Sequence, residues 1–218
     1  LKKAISTRDR LFSIIGHDLR NPLSAIVGLN EIVLQSIEEK DFEKGLRLSD
    51  AIKGASGQTM ALLDNLLEWS KSQSKDKGLE LQTISAKKLV DETLDMVFAF
   101  ASQKSIKLAS KVNCDTLVCD VNMIKTILRN LLSNAIKYSH QGGLVKIIVD
   151  QEEGLCKFYV IDEGVGMEKS KVNKLFTQAV VSTTRGTMDE KGTGLGLLIC
   201  KELVALHQGT IGVESEVG

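Results

Sequence analysis

Apolar residues at Phe12, Ile15, Leu19, Leu23, Ile26 and Val33 recur three, four and seven positions apart, which predicts one amphipathic helix over residues 4–36. Ser36 to Phe42 is a polar break. From about Glu43 the helical period resumes, with Leu48, Ile52, Ala55, Thr59, Leu62, Leu66 and Trp69 as its stripe. Two helices joined by a short loop make an antiparallel hairpin. A lone hairpin leaves apolar surface over, so pairing with a second copy into a four-helix bundle is expected. Lys71 to Gly78 is polar and reads as a structureless linker, dividing the chain into domains at 1–75 and 79–218.

Beyond the linker, strand and helix signals alternate. Leu79 to Ile84 predicts a strand, and Ser85 opens a helix to about Gln103. Ile106 to Ser110 and Thr116 to Cys119 predict short strands. Asp120 is placed to cap a strongly periodic helix carrying Ile124, Ile127, Leu128, Leu131, Leu132 and Ala135. Leu144 to Asp150 and Leu155 to Ile161, separated by Glu152-Glu153-Gly154, predict a β-hairpin. A polar, glycine-bearing stretch from about Gly164 to Thr193 precedes a helix over Leu195 to His207 and a final strand at Thr210 to Glu214. Helices on one face of a mostly antiparallel sheet make this half an α+β sandwich.

Composition narrows the function classes. The 28 Lys and Arg balance the 28 Asp and Glu, so no net field recruits nucleic acid or an anionic membrane. Aromatic residues make up only 4% of the chain, which also argues against a base-stacking surface. Cys114, Cys119, Cys156 and Cys200 are scattered without C-x-x-C spacing and read as reduced thiols. No apolar run approaches the roughly 20 residues of a membrane span, and no signal-peptide pattern is present. The chain starts at Leu1 without an initiator methionine and stops at Glu216-Val217-Gly218, so it is expected to be a piece of something longer.

Candidate chemistry begins at His17, which lies off the first helical stripe. Its neighbours three and four positions away are Ser13, Arg20 and Asn21, so it sits on a polar flank. A solvated imidazole there is a reachable nucleophile at neutral pH; a plain surface histidine beside a helix-favourable acid fits the same residues. Asn130 and Asn134 are four apart on one helix, with Lys137 close by. Amide oxygens suit a hard cation such as Mg²⁺ and the lysine suits phosphate, although a solvated pair of asparagines has the same pattern. Asp162-Glu163-Gly164-Val165-Gly166 follows a hydrophobic strand, where a carboxylate can accept from an exocyclic amine or simply end a turn. Lys191-Gly192-Thr193-Gly194-Leu195-Gly196-Leu197 opens a helix and offers backbone N–H groups to an anion. It is neither a Rossmann fingerprint nor a P-loop; Gly186 and Gly192 are candidate hinges of a phosphate-covering segment. The other histidines have structural readings: His207 near a helix C-terminus that favours a cation, His140 in a turn.

In this order the motifs resemble the catalytic core of a bacterial two-component sensor histidine kinase over nearly the whole chain. Phe12 to Pro22 is similar to the family's H box, Leu128 to Ser139 to its N box, Val160 to Met167 to its G1 box, Lys174-Leu175-Phe176 to its F box and Gly192 to Leu197 to its G2 box. The resemblance implies a dimerising phosphoacceptor hairpin followed by an ATP-binding sandwich of the Bergerat type. It implies that His17 takes the γ-phosphoryl group, with Asp18 as acid/base partner, and that Asn21 orients water in a reverse phosphatase reaction. Asn134 is implied as the Mg²⁺ ligand, with Asn130, Lys137 and Tyr138 at the nucleotide or metal, and Asp162 at adenine. Gly164, Gly166, Phe176, Gly192, Thr193, Gly194, Leu195 and Gly196 are implied to shape the pocket and lid, with Arg185 near the γ-phosphate. The implied cofactors are ATP and Mg²⁺. Expected partners are a second copy of the chain and a response-regulator receiver domain, with no nucleic acid. This segment is expected in the cytoplasm, its parent protein being anchored in the bacterial inner membrane by segments absent here. The chain departs from the family by ending before the usual closing strand, and its segment Ala179 to Lys191 has no assignable counterpart. Two other classes stay in view, an ATPase clamp and a silent dimeric scaffold. Such clamps carry a water-activating glutamate where this chain has Asn130.

Overall fold

The structure, a computed structural model, describes residues 2–73, 79–175, 185–190 and 194–218; for residues 2–15, 17, 18, 58, 61, 62, 64, 65 and 68–73 it describes the backbone alone. Two compact units result, Leu1–Leu67 and Glu68–Gly218.

The first unit holds α1 (Lys2–Glu38) and most of α2 (Phe42–Gln73), whose residues from Glu68 on count with the second. The connection between the two helices is a tight turn in which Lys40 takes the left-handed conformation and Asp41 Oδ1 accepts the Lys44 N–H at 3.0 Å, capping α2. Small residues close this end: buried Ser36 faces buried Gly45, and its hydroxyl donates back to the Ile32 carbonyl. Of the predicted α2 stripe, Leu48, Ile52, Ala55, Thr59 and Leu66 are all half-buried, while the side chains of Leu62 and Trp69 lie outside what is described. In α1, Leu19, Ile26 and Val33 are half-buried, but Leu23 is 46% exposed. Pro22 lies inside α1 without interrupting it. Lys71, Ser72 and Gln73, read above as linker, belong to α2: lysine and glutamine are good helix formers and no glycine intervenes. The rest of that linker, 74–78, lies outside the described residues.

The second unit runs β1 (Leu81–Ser85), α3 (Ala86–Gln103), β2 (Lys107–Val112), β3 (Thr116–Asp120), α4 (Val121–Tyr138), β4 (Leu144–Glu152), β5 (Leu155–Asp162), α5 (Lys169–Val172) and α6 (Leu195–Leu206). β1 and β3 pair antiparallel. In the second sheet, β4 lies between β2 and β5. This sheet is mixed, because β2 joins β4 in parallel register, Lys107 opposite Leu144, while the other strand pairings of the unit are antiparallel as expected. The chain returns from β2 to β4 through β3 and α4, which supplies the long crossover a parallel pair needs. The hairpin β4–β5 turns on Glu153 and Gly154, both at positive φ, the backbone a two-residue turn between right-twisted strands requires. Alternate residues of β4, Val145, Ile147 and Val149, are fully buried. They join Leu89, Val90 and Val97 of α3 and Leu128, Leu132 and Ala135 of α4 in the core.

One expectation needs correction here. Thr210 to Glu214 forms no strand; the polypeptide after α6 has no ladder partner among the described residues, although Ile211 and Val213 alternate with exposed neighbours. His207 stands at the helix C-terminus as expected, but its ring is engaged between two elements instead of standing free in solvent. Its Nε2 accepts the Asp120 N–H at 3.2 Å while Nδ1 lies 2.9 Å from the Leu203 carbonyl, so the ring tethers α6 to the start of α4.

Asp120 carries the start of the asparagine helix. Its Oδ1 accepts the Met123 N–H and its Oδ2 the Glu80 N–H, each at 3.2 Å. Replacing Asp120 by alanine removes the cap of α4 and a link to the residue before β1, at a cost of about 1–2 kcal/mol. A fall of roughly 2–8 °C in Tm is expected, followed by circular dichroism at 222 nm, with Asp120→Asn keeping part of it.

Candidate functional site

Three motifs that are far apart in sequence meet on α4. One face of that helix is spent on the core through Leu128, Leu132 and Ala135, which leaves Asn130, Asn134 and Lys137 half-buried on its open flank. The Asn130 amide donates Nδ2–H to the Thr126 carbonyl at 2.8 Å, so its orientation is fixed by its own helix. Its Oδ1 faces the first turn of α6 so closely that a Cβ on Gly196 would stand 2.7 Å away. A side chain at 196 would force the Asn130 amide to shift.

At the C-terminal end of α4, Lys137 Nζ donates to the Tyr138 hydroxyl at 3.1 Å and lies 4.7 Å from the ring centroid, a cation–π contact that orders both side chains. The Tyr138 carbonyl accepts the Val165 N–H at 3.1 Å, and Ser139 bridges to Gly164. The loop after β5 is thereby strapped to the helix. A Cβ at Gly164 would lie 2.5 Å from the Tyr138 carbonyl oxygen and 2.6 Å from Asp162 Oδ1. Gly166, at φ +62°, faces the Glu216 carbonyl with no room for a side chain. Asp162 ends β5, and its Oδ1 accepts the Gly164 N–H at 3.1 Å. Asp162 as a residue is exposed, yet partial desolvation of its carboxyl raises its pKa above the ordinary aspartate value, with the Gly164 N–H pulling the other way.

The segment 185–190 sits on the same helix end. Thr187 donates its N–H to the Lys137 carbonyl at 3.1 Å and its hydroxyl to the Ser139 carbonyl at 2.6 Å. Glu190 forms an ion pair with Lys104 at 2.8 Å. Sequence reasoning missed this pair, because Lys104 reads only as the residue after a helix. Arg185 pairs with Asp189 in solvent. Gly194, in left-handed conformation, starts α6, and Leu195 is buried behind it. Phe176, Gly192 and Thr193 lie outside the described residues.

In the other unit, His17 and Asp18 are part of α1, with their side chains outside what is described. Arg20 and Asn21, one turn on, are exposed, as the polar flank requires. The described residues include no cluster of three His, Cys, Asp or Glu side chains able to hold a metal. On the flank of α4 that faces the motifs, the amides of Asn130 and Asn134 offer oxygen donors. They suit a hard divalent ion that draws its other ligands from phosphate and water. The residues present therefore fit Mg²⁺ brought by a nucleotide.

The chain thus joins a helical hairpin to a helix-covered mixed sheet whose motifs converge on one helix. Residues 7–75 match the family model described as His Kinase A (phospho-acceptor) domain, and residues 119–218 the Histidine kinase-, DNA gyrase B-, and HSP90-like ATPase model. The hybrid signal transduction protein dokA of Dictyostelium discoideum is 31% identical over 98% of this chain, which spans 13% of that protein. Among solved structures, the Acinetobacter baumannii histidine kinase AdeS superposes with a TM-score of 0.66 at 23% identity, covering 92% of each chain. The histidine kinase ThkA, solved in complex with the response regulator protein TrrA, superposes with a TM-score of 0.67 at 19% identity over 95% of this chain and 57% of that one. These two likenesses establish the fold. The two family models, which together span most of the chain, place it in the sensor histidine kinase family. Among the described residues no helix is long and apolar enough to cross a membrane.

Proposed function

We propose that the second unit binds ATP·Mg²⁺ and that His17 is the phosphoacceptor. A ring nitrogen of His17 attacks the γ-phosphorus; the P–N bond forms as the bond to the ADP oxygen breaks, and the imidazole proton passes to Asp18. The phosphoryl group then moves to an aspartate of a response-regulator receiver domain, the kind of partner with which ThkA was solved. Asn134 holds Mg²⁺ with Asn130 beside it; when bound, that ion neutralises phosphate charge. Lys137 and the backbone N–H groups that open α6 receive phosphate, and Asp162 accepts the exocyclic amine of adenine. Positioning and charge neutralisation supply most of the rate, as in other phosphoryl transfers. The observation that carries the reading is the convergence on α4: Asn130 against Gly196, and Gly164 against Tyr138. An asparagine at 130, in place of a water-activating glutamate, disfavours a simple ATPase clamp.

A second copy of the chain covers the apolar residues the hairpin leaves in solvent, Val27 at 61% and Leu46 at 70% exposure among them. Burying such a surface against itself makes the four-helix bundle. Asn21, exposed one turn beyond His17, orients water in the reverse, phosphatase direction. This segment works in the cytoplasm, and the parent protein is held at the inner membrane by parts outside this chain.

Asn134→Ala tests the metal assignment. Incorporation of label from γ-labelled ATP falls at least about 100-fold, while the circular dichroism spectrum is unchanged. Wild-type incorporation by the variant across a Mg²⁺ titration contradicts the role given to Asn134.

A further inference from the structure

Lys104 is the C-cap of α3 and is only 2% exposed, an unusual place for an ammonium group. All three of its protons are used. Nζ donates to the Ile136 carbonyl at 3.0 Å, to the Lys137 carbonyl at 2.7 Å and to Glu190 Oε1 at 2.8 Å. The first two acceptors are carbonyls of the last turn of α4, which no residue further along the helix can satisfy and which form the negative end of its dipole. Glu190 is equally engaged. Its Oε2 accepts the Met188 N–H at 2.8 Å, and its main-chain carbonyl accepts the Gly186 N–H at 2.9 Å. Desolvation pushes the Glu190 carboxyl up, but the bonds from Lys104 and from backbone N–H groups outweigh it and hold the group below the usual glutamate range. Gly186 has no room for a side chain, since a Cβ would lie 2.2 Å from Glu190 Oε2 and 2.8 Å from the Lys137 carbonyl.

Glu190 is the residue immediately before Lys191-Gly192-Thr193-Gly194. Just past that sequence, Gly196 meets Asn130. Both flanks of the glycine-rich sequence are thus tied to one helix, at Asn130 through Gly196 and at the helix end through Glu190 and Lys104. The second tie joins residues 86 positions apart and is an ion pair, whose loss leaves a buried lone charge.

We propose that Lys104 and Glu190 are a positioning pair for the nucleotide: by pinning the start of the glycine-rich sequence to the end of the asparagine helix, they set affinity for ATP and leave the chemistry at histidine untouched. The proposal rests on the ATP reading above. Neither residue touches the reacting atoms; they act through the main chain of 186–190 and the α4 terminus.

The test is a double-mutant cycle on the whole chain with Glu190→Gln, Lys104→Met and both together. Binding of a fluorescent ATP analogue and autophosphorylation against ATP concentration are measured for each. Glu190→Gln keeps the size of the side chain and an acceptor for Met188 while removing the charge, so it folds even where Lys104→Met does not. About a tenfold rise in Kd and KM is expected for Glu190→Gln, with kcat within about twofold of the parent. The double variant binds no worse than the weaker single one, because the two residues act as a unit. A kcat loss with KM unchanged overturns the proposal, as do additive losses in the cycle. Parent-like affinity in Glu190→Gln overturns the pair alone, provided the parent binds ATP. Failure of the parent to bind ATP overturns the nucleotide reading and the pair with it.

Discussion

Replacing His17 by glutamine abolishes incorporation of the γ-phosphoryl group, to below about 0.1% of the parent rate, while ATP affinity stays at the parent value. Glutamine keeps polarity and helix propensity but has no nitrogen lone pair free to attack phosphorus, since its amide nitrogen is conjugated with the carbonyl. The nucleotide groups belong to a different compact unit from α1, so their ties to α4 are untouched by the change. Label incorporation measured beside fluorescent-nucleotide binding separates the two effects. Loss of both in His17→Gln would mean that the hairpin contributes to the nucleotide site itself. Retained labelling would move the acceptor to another residue.

The second large effect is expected at Gly164. Alanine there sets a methyl group 2.5 Å from the Tyr138 carbonyl oxygen and 2.6 Å from Asp162 Oδ1. Rotating the Asp162 carboxylate relieves one clash, but a main-chain carbonyl at the end of a helix cannot turn away. The loop after β5 must move, which breaks the bond from Val165 N–H to Tyr138 and the bridge from Gly164 to Ser139. Such overpacking costs about 1–3 kcal/mol, and it falls where Asp162 is aimed. Gly164→Ala therefore lowers ATP affinity at least about tenfold and lowers Tm by roughly 2–10 °C, checked by nucleotide titration and by thermal unfolding. Unchanged affinity alongside a lower Tm would show that this loop is structural only.

What was legible in the sequence is what short-range physics controls. The period of three and four that marks α4, and the aspartate in front of it, gave both the helix and its N-cap, because cap and core face are local properties. The hairpin β4–β5 was visible for the same reason, through alternation and a glycine-bearing turn. Long-range facts were not visible. The parallel pairing of β2 with β4 depends on where α4 returns the chain, and neither strand's own sequence records it. Thr210 to Glu214 alternates as a strand does, yet a strand exists only with a partner, and here Gly218 N–H instead reaches the Val165 carbonyl at 3.4 Å. The tail of the second helix was lost to its polarity: Lys71, Ser72 and Gln73 show no apolar period but nothing that breaks a helix. The candidate site divides the same way. Its asparagines, aspartate and glycines were legible as motifs, whereas Lys104 and Glu190 carry no local signal. A buried lysine is recognised only when its partners, 32 and 86 positions away, are folded around it.

The central claim is that a phosphoryl group comes to rest on a histidine nitrogen, and the bond itself can be interrogated. The chain is incubated with γ-labelled ATP and Mg²⁺, and the labelled protein is then divided between acid and alkali. A phosphoramidate is lost in acid and survives alkali, and on peptide mapping the label falls on the peptide holding His17. Label that survives acid is a serine or threonine ester and contradicts the account; ATP hydrolysis with no label on the protein contradicts it equally.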